Sequence, residues 1–102
     1  MGLVAARTIA SSTIVAIVES TAPATYRVTV TNGASTTHTV TVSPEYWKKL
    51  TGGRVTPEKL VEKSFEFLLE RESNTSILRS FDLPVIQKYF SEYERTIPGM
   101  LN

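Results

Sequence analysis

The sequence predicts an α+β fold: a three-stranded antiparallel sheet packed against two to three C-terminal helices, in the order βββααα. Three observations predict it. Residues 25–42 carry valines and threonines at a period of two, the signature of strands with one face in a core. Residues 44–95 carry apolar side chains at helical spacing, and Ser-Pro-Glu and Thr-Pro-Glu triplets punctuate them. Charge divides in the same way. The chain holds 11 basic and 10 acidic side chains, yet only Arg7, Glu19 and Arg27 precede residue 44. A nearly uncharged sheet followed by solvated helices is the simplest arrangement of that pattern.

Taken in order, residues 1–11 have no clear period and read as a lead-in or as a fourth strand added at the sheet edge. Thr13 to Glu19 is apolar on both parities, which suits a strand covered on both faces. Thr25 to Thr31 alternates, with Tyr26, Val28 and Val30 against Arg27, Thr29 and Thr31. Thr36 to Val42 repeats it, with His38, Val40 and Val42 against Thr37, Thr39 and Thr41. Asn32-Gly33 between them usually marks a two-residue hairpin loop. Here that loop would set valines beside threonines, because a slip of one residue inverts every side chain. An odd-length loop, Thr31-Asn32-Gly33, keeps the valines together. It sets Gly33 in the left-handed region, Val28 opposite Thr36 and Tyr26 opposite His38.

Ser43-Pro44-Glu45 supplies a cap, a proline at the first helical position and an acid in the first turn, opening a short helix that stops at Gly52-Gly53. Thr56-Pro57-Glu58 repeats the grammar and opens the main helix, predicted to run to about Arg71. Its apolar stripe is Leu60, Val61, Phe65, Leu68 and Leu69, widened by Phe67. Lys59/Glu62 and Lys63/Glu66 pair on its wet side. Ser73 to Ser76 is a loop, and Ile77, Leu78 and Phe81 anchor to the core. Asp82 is the expected cap of a last helix to about Arg95 that buries Ile86, Tyr89, Phe90 and Tyr93. Residues 1–11 and 97–102 are expected to be poorly ordered ends of a single domain spanning 1–102.

Two blocks of the C-terminal half resemble a known pattern. Phe65-Glu66-Phe67-Leu68-Leu69-Glu70-Arg71-Glu72 is followed by Ser76-Ile77-Leu78-Arg79-Ser80-Phe81-Asp82-Leu83 and by Ile86 to Tyr93. This succession is similar to a family of small uncharacterised prokaryotic proteins. The resemblance brings no activity, cofactor or site residue with it.

Composition narrows the functional classes. A net charge of +1 gives no long-range pull toward nucleic acid or an anionic membrane. With no cysteine, disulfides, thiolate nucleophiles and Cys-ligated zinc are excluded. The longest apolar run, Ile14 to Val18, is far short of the ~20 residues that span a bilayer. The N-terminus is a poor signal peptide and a poor myristoylation site, so a cytoplasmic protein is expected, with no membrane among its partners. Asn74-Thr75-Ser76 matches the glycosylation acceptor pattern and reads as coincidence without a secretion route.

The chemistry-bearing candidates are few. His38 is the only histidine, which rules out paired-histidine metal sites; it is expected partly buried beside Tyr26, where its imidazole could sense pH. Glu58, Glu62, Glu66 and Glu70 form a row that alternating lysines neutralise. Thr51-Gly52-Gly53-Arg54 lacks the Lys-Ser or Lys-Thr of a phosphate loop and reads as a turn. No catalytic, cofactor-binding or metal-binding residue is assigned, and no cofactor is expected. Two surfaces remain. Arg27, Thr29, Thr37, Thr39 and Thr41 form a flat, polar sheet face suited to contact with a protein, a second copy of the chain included. Trp47, Lys48, Lys49 and Arg54 form a small basic-aromatic patch of the kind that holds single-stranded nucleic acid. The leading expectation is a non-enzymatic interaction module, homodimeric through the sheet. The alternative is a small nucleic-acid-binding or regulatory protein resembling compact antitoxins in size and element order.

Overall fold

The computed structural model describes residues 15–101. Strands β1 (Val15–Ala22), β2 (Thr25–Asn32) and β3 (Ala34–Thr41) form an antiparallel meander. Helices α1 (Pro44–Thr51) and α2 (Pro57–Leu69) follow. A 3₁₀ turn at Asn74–Ser76 leads into a short strand β4 (Ser80–Asp82), and α3 (Val85–Tyr89) and α4 (Tyr93–Met100) complete the chain. The class is α+β with the main strands ahead of the helices, as the patterning predicts. No helix among the described residues is long and apolar enough to cross a membrane.

Among the described residues the sheet has a fourth strand that the patterning does not indicate. The sheet order is β1-β2-β3-β4, and β4 joins β3 in parallel through Val40 and Phe81. An edge strand from residues 1–11 lies outside the described residues. Three residues are too few to show a period, which is why the sequence marks Phe81 only as a core anchor and Asp82 only as a cap.

Side-chain parity holds across the meander. Val28, Val30 and Val40 are fully buried on one face, with Tyr26 and Val42 nearly so. The hairpin loop is odd in length, but its register is displaced by two residues from the expected one. Thr31 faces Ser35, Gly33 takes the tip at φ 78°, Val28 faces His38 and Tyr26 faces Val40. A two-residue displacement preserves facing, so the valine floor survives it. Thr36 and His38 thereby meet polar partners from the 74–78 segment.

Both proline-led caps form. Ser43 Oγ accepts from the Tyr46 amide and Thr56 Oγ1 from the Lys59 amide, each at 3.1 Å. The α1 end turns through Gly52 at φ 68°. Leu60, Val61, Phe65 and Phe67 of α2 have no exposed surface, and the helix stops two residues before the expected Arg71. The predicted last helix divides in two. Phe90 takes extended φ and ψ of −132° and 95°, ending α3, and Asp82 lies in β4 instead of capping it. Gln87 bridges the break: its Nε2 donates to the Ser91 carbonyl, and its Oε1 accepts from the Glu94 amide at 2.8 Å. Helix α4 runs to Met100, past the expected end at Arg95, with Ile97 fully buried.

Candidate functional site

The alternation of β2 and β3 places Arg27, Thr29, Thr37, Thr39 and Thr41 together on the side of the sheet opposite the helices. Arg27 sits across from Thr39 and Thr29 across from Thr37. Thr29 is half-buried among its neighbours and the other four are exposed. The face is broader than the expected set. Ile17 and Glu19 extend it across β1, opposite Thr29 and Arg27, while Ser80 and Asp82 extend it beyond Thr39 and Thr41. Ile17 is 56% exposed, so β1 is not covered on both faces as its apolar run suggests. Arg27 Nη2 lies 3.1 Å from Glu19 Oε1, which neutralises two of the charges within the face itself.

Two members of the basic-aromatic patch, Trp47 and Lys49, already have partners within the chain. The indole Nε1 of Trp47 donates to the Val55 carbonyl at 2.8 Å, holding the half-buried ring in the α1–α2 connection near Gly53. Lys49 pairs with Glu94 at 3.4 Å and lies over the Tyr46 ring, whose hydroxyl donates to the same carboxylate. Burial and that carboxylate push the Tyr46 phenol up, so it stays neutral. Lys48 and Arg54 are exposed.

His38 has no exposed surface at all and packs 5.4 Å from the Phe65 ring. Its Nδ1 stands 2.8 Å from the Leu78 carbonyl, which can only accept, so Nδ1 carries the proton. Nε2 then accepts from the Thr36 hydroxyl at 2.8 Å, and the Thr36 oxygen accepts from the Asn74 amide at 2.9 Å. Every group in this chain is satisfied with the imidazole neutral. Burial holds its pKa below the usual histidine value, with the charge of Arg79 acting the same way and the Leu78 carbonyl opposing. Asn74 is 2% exposed and also donates to the Ala34 carbonyl, so it is a structural pin and no glycan acceptor.

The segment that follows Asn74 forms one wall of a cleft the sequence did not announce. Leu68 of α2, Ile77 and Leu78, Phe81 of β4, Ile86 of α3 and Phe90 at its end line a concavity of about 190 Å³. Tyr89 and Leu78 stand at its rim, 68% and 47% exposed, contrary to the expectation that both are anchored inside. Glu72 is its charged lining residue. Helical spacing marks these side chains only as core, because solvent access here depends on the break at Phe90 and on β4. The glutamate row of α2 forms no metal site: among the described residues no group of three or more His, Cys, Asp or Glu could hold an ion. Lys63 and Glu66 pair at 3.3 Å and Lys59 and Glu62 at 3.9 Å, as their spacing predicts.

Comparison with protein-family models, with curated proteins and with solved structures found no match.

Proposed function

We propose that this chain is a non-enzymatic protein-interaction module that associates with a second copy of itself through the open, Thr-rich face of its sheet. The supporting observation is a face of four strands on which an isoleucine is more than half exposed and the arginine is already neutralised by Glu19. Short hydroxyl side chains let two such faces approach closely, and the Arg27–Glu19 pair removes the like-charge repulsion that would otherwise oppose it.

Size sets the expected strength. The three long strands, eight residues each, cover about 26 by 14 Å in projection, to which the three-residue β4 adds little. Such a patch is smaller than the ~800 Å² per partner of a standard stable interface, so association is weak and reversible. Sedimentation should therefore run from about 10 μM to a few hundred μM, the range in which such a patch can pair. The expected outcome is a concentration-dependent shift toward dimer that Thr39→Lys abolishes while leaving the circular dichroism unchanged. A strict monomer across that range, or a dimer indifferent to Thr39→Lys, would defeat the reading. Nucleic-acid binding finds less support, since Trp47 is committed to Val55 and Lys49 to Glu94.

A further inference from the structure

We propose that the cleft between α2 and α3 is a docking site for a partner segment that presents a bulky apolar side chain next to a basic one. The inference stands on the cleft and is independent of the sheet face.

Three features define the occupant. The first is volume: about 190 Å³ between apolar walls, where an apolar cavity of about 150 Å³ accommodates benzene. The cleft thus takes one phenylalanine- or leucine-sized group. The second is charge. Glu72 is half-buried in the lining, and its carboxylate has no ion-pair or hydrogen-bond partner among the described residues. Its neighbour Arg71 does not supply one. That guanidinium lies 3.7 Å over the Phe67 ring and pairs with Glu92 and Glu70. An unpartnered carboxylate against an apolar wall favours a cationic visitor, and the nearby Tyr89 and Phe90 rings favour the same sign. The third is the rim. Leu78 and Tyr89 expose apolar surface beyond what the cleft encloses. A small amine would fill the concavity and leave that rim wet, whereas a polypeptide would cover both.

The rim is also held firmly. The Leu78 carbonyl is tied to His38, and Asn74 just before it is tied to Thr36 and Ala34. A preformed wall spares a ligand the cost of ordering it.

The test uses the full chain labelled with nitrogen-15 and three probes followed by amide chemical shifts. One is an acetylated, amidated hexapeptide with a phenylalanine–lysine pair flanked by leucines. The second replaces its lysine with glutamate. The third is phenethylamine, which carries the ring and the cation without the backbone. The lysine peptide is expected to shift the amides of Glu72, Leu78 and Tyr89 saturably, and to bind about tenfold more tightly than the glutamate peptide. Glu72→Gln, at a half-buried lining position, should narrow that ratio, and Tyr89→Ser should weaken the peptide more than phenethylamine. No saturable shift by about 5 mM, shifts centred elsewhere, or equal binding of the two peptides would overturn the proposal. Phenethylamine binding as tightly as the lysine peptide would also overturn it, marking the cleft as a pocket for small amines.

Discussion

His38 shows how one side chain can be legible as a position and illegible as an environment. Its parity with Val40 and Val42 marks the core face, and the core face is where it lies. Its complete burial follows from Thr36, Asn74 and the Leu78 carbonyl, contributed by residues up to 40 positions away. The pH consequence has a definite sign. The folded protein binds this proton less readily than the unfolded chain, because burial outweighs the Leu78 hydrogen bond. The stability contributed by the neutral ring is therefore fully present above the unfolded value of 6.5. It is lost as the pH falls below that toward the folded pKa. Urea midpoints should be level above about pH 7 and fall between about pH 6.5 and 5, before carboxylates titrate. In His38→Gln the fall over that window should vanish; its persistence would place the titration elsewhere. The β1–β2 turn holds strain of its own. Ala24 holds φ at 61°, a left-handed conformation that costs an alanine about 1–2 kcal/mol. Ala24→Gly should raise stability by a fraction of that, about 0.5–1 kcal/mol in chemical denaturation, since glycine also loosens the unfolded chain. A loss of stability would mean that the turn is not strained.

Among the elements, α2 carries the largest share of the helical core, and its stripe is rotated from the one that spacing suggests. Phe67, expected at the margin, is fully buried, edge-on to Phe90 at 6.0 Å and to Tyr93 at 5.3 Å, with Arg71 over its face. Leu69, expected inside, is only half-buried. Phe67→Ala should cost about 3–5 kcal/mol, the range for a fully packed aromatic, and Leu69→Ala clearly less. Equal losses would contradict this orientation. The reason lies in α4. Tyr93 reaches beneath α2, where its hydroxyl meets Ser64 at 2.6 Å, and burial pushes its phenol well above the usual tyrosine value. That contact draws the buried arc toward Phe67. A helix's own spacing specifies an apolar arc to within a residue or so, and its partners choose the centre.

For the whole molecule, the two proposed surfaces lie on different sides, one on the open sheet face and one on the helical layer. A dimer formed through the first should leave the second accessible. If the sheet faces pair, the melting temperature should rise with protein concentration, because association stabilises only the folded state. The hexapeptide should add its own increment in the Thr39→Lys monomer as well. A melting temperature independent of concentration would count against pairing. By itself, the sequence determined what depends on nearest neighbours and on period. The valine face, the odd hairpin loop, the two proline-led caps and the strands-then-helices order all follow from local sterics and from the need to bury one stripe. Tertiary structure alone decided the hairpin register, the parallel strand at Ser80–Asp82, the division of the last helix at Phe90 and the cleft beside it. Those features are settled by contacts between segments distant along the chain, where several local choices cost nearly the same and the packed partner selects among them.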